Sequence, residues 1–167
     1  MIRHFAALVA TAFVIAAAPA TAQPGPEHKK MDPLVGRWQV EVDVKAAGTM
    51  PASKASGSET CEWFANLHVV CRSEATGAAG LYKAMRTISY VPALKQYASY
   101  TVDSLGYASL ALGQVTGSTW AFTSENGAYK FRTTVKTTAG GYTSTTEYAG
   151  GDGKWITSSV VTGTRAK

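Results

Sequence analysis

LVGRWQVEVDV, Leu34 to Val44, is the stretch that decides how the rest of the chain is read. Trp38, Val40, Val42 and Val44 share one parity, and Arg37, Gln39, Glu41, Asp43 and Lys45 share the other. A clean period of two sets one face against a core and leaves the other in water, the signature of a half-buried strand. Just upstream, Asp32-Pro33 can open a single helical turn, because Asp caps and Pro is pre-set for a first helical position. Gly36 then lets the chain reverse. The expectation is a short helical plug followed by a strand entered through Gly-x-Trp.

Downstream, the chain breaks into short pieces rich in Thr, Val and Tyr, separated by turn signals. No stretch of helical period is long enough to compete. Ten strands are read: Arg37–Lys45, Gly57–Phe64, His68–Ala75, Tyr82–Val91, Gln96–Ser104, Tyr107–Val115, Ser118–Glu125, Tyr129–Thr138, Tyr142–Ala149 and Lys154–Arg165. The small-residue stretch KAAGTMPASKASGS, 45–58, reads as an exposed loop between the first two.

A hairpin turn fixes which residues face each other. A turn at Asn126-Gly127 pairs Phe122 with Phe131, Trp120 with Thr133 and Ser124 with Tyr129, leaving Lys130, Arg132 and Lys136 on the opposite face. A turn centred on Gly140-Gly141 pairs Val135 with Thr146 and Thr133 with Tyr148. A turn in Gly150-Gly151-Asp152-Gly153 pairs Tyr148 with Trp155 and Thr146 with Thr157. The three turns hand one inward face from strand to strand. Ten strands joined this way either close or leave two long edges, and closure removes the edges. The fold class expected is all-β, a closed antiparallel up-and-down barrel of about ten strands with a short N-terminal helical plug.

The chain opens with the features of an export signal: Arg3 at the start, an apolar run from Phe5 to Ala18, and Ala20-Thr21-Ala22 as a small-x-small cleavage site. The expected organisation is a signal peptide over 1–22, a flexible leader over 23–30 and one barrel domain over 31–167, in a periplasmic or secreted protein with no membrane span. Without Arg3, 15 basic residues stand against 11 acidic ones, a net charge of +4, and they are scattered. Nucleic acid is not an expected partner, because tracking phosphates takes clustered Lys and Arg.

Cys61 and Cys71 lie five residues either side of Asn66 and so face each other across a hairpin, with Trp63 and Val69 the next pair. In an oxidising compartment that geometry reads as a structural disulfide. A metal site using His68 is not expected, since residues three apart on a strand point to opposite faces. Catalytic signatures are missing: there is no Gly-x-Ser-x-Gly elbow, phosphate loop or His-Glu-x-x-His, and by this reading no two acids share an inward face.

The hairpin around Pro92-Ala93-Leu94-Lys95 pairs Tyr90 with Tyr97, Ile88 with Ser99, Arg86 with Thr101 and Ala84 with Asp103. Its orientation has two readings. The preferred one turns Met85, Thr87, Val91, Ala98, Tyr100 and Val102 inward. The other turns Arg86 and Asp103 inward as a paired charge, which would make a polar ligand site beside Tyr90 and Tyr97.

A short N-terminal turn, Gly36-Arg37-Trp38 on the first strand and an Arg near the end resemble the lipocalin-type barrels. The order HKKMDPLVGRW, ISYVPALKQYASYTVDSLG and EYAGGDGKW is similar to a bacterial lipocalin-like family catalogued as domain of unknown function 1579. It departs in having Tyr90-Val91 where that family often has Tyr-Asp. The resemblance implies that Trp38 sits at a closed base with Arg165 packed across it. Arg165 shares its parity with Trp155, Thr157, Ser159 and Val161. Related ten-stranded barrels hold haem through an interior His. Here His68 takes the parity opposite Trp63 and Cys71, so no cofactor is expected.

Trp120, Phe122, Tyr129, Phe131, Tyr148 and Trp155 are expected on the inward face of the last strands, interleaved with Thr133, Thr146 and Thr157. A ten-stranded barrel encloses more room than such side chains fill. The function expected is binding of a small apolar or amphipathic molecule, contacted by these aromatics, Thr133, Tyr100, Arg86 and Asp103, under a lid formed by the 45–58 loop. The alternatives are an isomerase- or hydrolase-type enzyme in the same cavity, or an envelope module with a filled interior.

Overall fold

The structure is a computed structural model that describes residues 23–46, 51–149 and 152–167. A helical turn, α1 (Pro26–Lys29), and a 3-10 turn (Asp32–Leu34) precede ten strands. These are β1 (Gly36–Val44), β2 (Ser53–Phe64), β3 (His68–Gly77), β4 (Gly80–Val91), β5 (Gln96–Asp103), β6 (Ala108–Thr116), β7 (Thr119–Asn126), β8 (Tyr129–Thr137), β9 (Gly141–Ala149) and β10 (Trp155–Arg165). Each pairs antiparallel with its neighbours in sequence, and β1 also pairs with β10, so the barrel is closed and has no edge strand. The signal-peptide reading, the tip of the first loop (47–50) and the first half of the Gly150–Gly153 turn fall outside the described residues.

The alternation in Leu34–Val44 holds: Trp38 and Val40 are buried while Arg37, Gln39 and Glu41 are exposed. At one end the barrel is closed by large side chains. Met31, Leu34, Trp38, Val69, Ile88, Tyr97, Trp120, Phe122 and Val135 form one buried cluster. The two N-terminal turns seal it. Trp38 Nε1 donates to the Leu34 carbonyl at 3.2 Å, and Trp63 Nε1 donates to Asp32 at 3.3 Å. Within the stretch expected as a loose leader, Glu27 accepts from the Tyr97 hydroxyl at 2.8 Å. Burial first, and then the Glu27 carboxylate, push the Tyr97 phenol well above its usual range. Lys30 and Tyr97 hold the Glu27 carboxyl below its ordinary range.

The base latch forms as the resemblance implied. Trp38 and Arg165 are cross-strand partners, and the guanidinium lies 4.4 Å from the Trp38 ring centroid. Gly36 makes this possible: a Cβ there would lie 2.5 Å from Arg165 Nη1. Cys61 and Cys71 are directly opposed and disulfide-bonded, with Trp63 opposite Val69 as the hairpin required.

The last turns depart from the expected registers. Phe122 faces Thr133, not Phe131, and Trp120 faces Val135. Thr133 faces Thr146, and Phe131 faces Tyr148. Both hairpins are slid by two residues, so every side chain keeps its expected face. The first of these turns uses Gly127 and Ala128, with Gly127 at φ +59°, a glycine-first two-residue turn.

The final hairpin departs by one residue. Trp155 pairs with Ala149 and Thr157 with Glu147, and the ladder then skips Ser158 before Ser159 meets Thr146. This bulge reverses parity. Below it, Val161 and Arg165 point inward as expected. Above it, Trp155 and Thr157 lie on the outer face, where the Arg132 guanidinium sits 4.4 Å from the Trp155 ring centroid and is bonded to Glu147. The expectation of an inward Trp155 and Thr157 is corrected.

The 45–58 stretch is also less loop than expected. Ser53 to Ser58 pair with Val44 to Gln39 and belong to β2.

Candidate functional site

The β4–β5 hairpin has the expected register, with Arg86 opposite Thr101 and Ala84 opposite Asp103. Its orientation is the reverse of the preferred reading. Arg86 is also the partner of Cys71, and Ile88 the partner of Val69, so β3 carries the inward face directly onto Arg86. Tyr100, Met85 and Val102 therefore point outward, Tyr100 with 49% of its surface exposed. Tyr100 is withdrawn as a lining residue.

Arg86 does not pair with Asp103. It reaches Glu59, whose side chain is almost fully buried at mid-height in the barrel, with Nη2 to Oε2 at 3.4 Å. The same Glu59 oxygen accepts from Ser73 Oγ at 2.7 Å, and Oε1 accepts from the Tyr142 hydroxyl at 2.8 Å. Tyr142 reaches this point because its cross-strand partner is Gly163: a Cβ there would lie 2.2 Å from the Tyr142 ring. The ring also meets Trp38 edge-on at 5.4 Å. Burial, reinforced by the Glu59 carboxylate, pushes the Tyr142 phenol well above its usual range.

Glu59 was missed from sequence, although its parity matches that of Cys61 and Trp63. The reading that no two acids face inward is thereby overturned, since Glu59 and Asp103 both do. Asp103 sits near the mouth, where it accepts from the Tyr82 hydroxyl at 3.1 Å and caps the backbone N–H groups of Leu105 and Tyr107. Burial and this carboxylate raise the Tyr82 phenol to about 12.

Arg86 is incompletely satisfied. Its Nε is buried and without a hydrogen-bond partner, the one such side-chain atom among the described residues. A buried donor in that state costs about 1–3 kcal/mol. Arg86 borders a recess of about 10 Å³ together with Leu34, Glu59, Cys61, Ile88, Trp120, Phe122, Val135 and Tyr142. That is about the space of one water molecule.

Above this level the interior changes character. Ser73, Ala84, Thr101, Ala111, Ser124, Thr133, Thr146 and Ser159 face inward and are only partly buried, although a barrel surrounds them. Phe131 and Tyr148 stand on one side with ring centroids 6.5 Å apart, and Tyr129 joins them at the rim. Thr133 and Thr146 share a hydrogen bond at 3.2 Å. Among the expected lining residues, then, Phe131, Thr133, Tyr148, Arg86 and Asp103 line this cup and Tyr129 its lip. Trp120 and Phe122 belong to the packed floor, stacked at 6.2 Å.

His68 faces outward and bonds Ser89 Oγ through Nδ1 at 2.7 Å. Glu59, Cys61 and Cys71 place three potential ligand atoms within 4.8 Å of one another, but both sulfurs are bound in the disulfide.

Such a structure defines a closed ten-stranded antiparallel barrel with one packed end and a polar-floored interior. The chain belongs to the family described as Protein of unknown function (DUF1579), which matches residues 23–167. No curated protein matches it. Its fold is similar to that of Rv2717c from M. tuberculosis, with a TM-score of 0.68 at 10% identity over 87% of this chain and 100% of the other. A redesigned β-barrel, mFAP0, bound to DFHBI, aligns with a TM-score of 0.47 at 13% identity over 80% of this chain and 99% of that one. No helix among the described residues is long and apolar enough to cross a membrane.

Proposed function

We propose that this is an exported protein that holds a small, largely apolar molecule in the open half of its barrel. One observation carries the reading: most inward side chains above Glu59 and Arg86 stay partly exposed, whereas the buried cluster of large side chains lies below them. An interior lined by Ser, Thr and Ala on most strands cannot fill itself. Phe131 and Tyr148 offer contact area on one wall, and hydroxyls opposite suit one or two polar groups. Export is supported by the disulfide, a bond that persists in oxidising compartments, and by a family match that begins at residue 23.

An enzyme working in the same interior has the buried Glu59 in its favour. Both Glu59 oxygens already accept hydrogen bonds from side chains, however, which suits a structural acceptor better than a group that exchanges protons with a substrate. Binding is therefore the preferred function. It is tested by native mass spectrometry of protein purified from its own compartment, and by titration with apolar fluorophores. Saturable one-to-one binding, weakened in Phe131→Ala, is expected. Its absence in both proteins would leave a structural module.

A further inference from the structure

We propose that the ligand is a neutral molecule whose single carbonyl-type oxygen is read by Arg86. This rests on the barrel being a ligand holder and adds what the ligand must present. Donors and acceptors at mid-height do not balance. Glu59 is committed, accepting from Ser73, Tyr142 and Arg86. Arg86 carries five N–H groups. Its bond to Glu59 is long, and its Nε is buried with no partner among the described residues. The unmet demand is for an acceptor.

Charge then selects the kind of acceptor. The charged side chains at this level are Glu59 and Arg86, paired with each other, with the Tyr142 phenol on Glu59 and Asp103 nearer the mouth. A ligand carboxylate would be a second negative group on a guanidinium already paired with Glu59, and like charges oppose ionisation at close range. A neutral oxygen meets the N–H without that repulsion.

Size agrees. The recess beside Arg86, about 10 Å³, has room for one oxygen. Its other walls are mostly apolar, Ile88, Trp120, Phe122 and Val135 among them. The Arg86 side chain keeps 26% of its surface accessible while Nε itself is buried, so in this proposal the oxygen enters by the recess that Arg86 borders. The class is thus an apolar-bodied ketone, aldehyde, ester or amide, its oxygen down and its body against Phe131 and Tyr148.

The test uses the purified protein and three matched twelve-carbon probes: 2-dodecanone, dodecanoate and dodecane. Affinities are read by calorimetry or fluorophore displacement, and the band of a carbonyl-13C ketone is followed by infrared spectroscopy. The ketone should bind tightest, and its carbonyl band should move to lower frequency on binding. Removing a hydrogen bond to a charged donor should weaken ketone binding by roughly ten- to a hundredfold. That loss is expected in the double variant Glu59→Gln, Arg86→Met, which leaves no unpaired charge behind, while dodecane affinity stays level. Tighter binding of dodecanoate, or an unshifted carbonyl band in the wild type, would overturn the assignment while leaving a ligand-binding barrel standing. Failure of all three probes and of the apolar fluorophores would remove the underlying reading as well.

Discussion

The two halves of this barrel are built from the same ten alternating strands, yet one is a core and the other a cup. At the closed half Trp38, Val69, Ile88, Tyr97 and Trp120 are all at most 2% exposed. In the open half the same inward parity brings Ser73, Ala84, Thr101, Ser124 and Thr133, which remain partly exposed. Alternation decides only which way a side chain points. Volume decides whether the space it points into is filled. Glu59 and Arg86 lie at the boundary, where the aromatic packing ends and the hydroxyl-lined wall begins.

The most direct way to break this comparison is to make one kind of substitution in each half. Trp120→Ala should cost about 3–5 kcal/mol, because it leaves a large cavity in a close-packed region. Chemical denaturation would show it. Phe131→Ala should cost much less and act mainly on ligand affinity, because the ring borders open space. Equal losses at the two positions would mean that the upper half is packed too.

Removing the disulfide ranks next. Cys61 and Cys71 close a short loop, so replacing both with Ala should destabilise by about 2–3 kcal/mol. Thiol titration of the denatured, unreduced protein should find no free thiol, and two would contradict the bond.

Arg165→Ala should cost about 0.5–1 kcal/mol, the scale of an exposed guanidinium stacked on a Trp face. A lowered melting temperature and a shift in Trp emission are the readouts. An unchanged melt would mean that the closed end does not depend on this latch.

The smallest effect sharpens the comparison through pH. The phenols of Tyr82, Tyr97 and Tyr142 are all raised, chiefly by burial. A raised pKa means that the folded state holds the proton more tightly. The stability linked to it is complete below about pH 10, the unfolded value, and is lost as pH rises through the folded values. Alkaline unfolding should therefore begin above pH 10, with Tyr82 titrating near 12. Tyr142→Phe should flatten that dependence. At the acid end, Glu27 is held below 4.5 by Lys30 and Tyr97, so its contact with the barrel should persist above that pH and be lost as pH falls below it. A melting profile flat from pH 9 to 12 would show that these phenols are more accessible than their burial implies.

Much of this molecule can be read without coordinates. The period of two in Arg37–Val44, the opposed Cys61 and Cys71, the hairpin at Pro92–Lys95 and the pairing of Trp38 with Arg165 are local or end-to-end features that residue order exposes. Turn residues, however, specify a slot only to within two positions. Sliding β7 on β8, or β8 on β9, by two preserves every face, so alternation cannot distinguish Phe122 opposite Phe131 from Phe122 opposite Thr133.

The tertiary structure alone decided three things. The bulge at Ser158 turned Trp155 and Thr157 outward while keeping Val161 and Arg165 inside, because one extra residue reverses parity and leaves no mark in composition. The β3–β4 ladder turned Arg86 inward, where the β4–β5 hairpin by itself offers two equally mixed faces. And Glu59 found Ser73, Arg86 and Tyr142, from 14 to 83 residues away, since only closure of the barrel brings β2, β3, β4 and β9 around one buried carboxylate. The sequence sets the alternation along each strand, whereas the face a bulged or mixed strand turns inward, and the partners of a buried charge, depend on how the whole sheet closes.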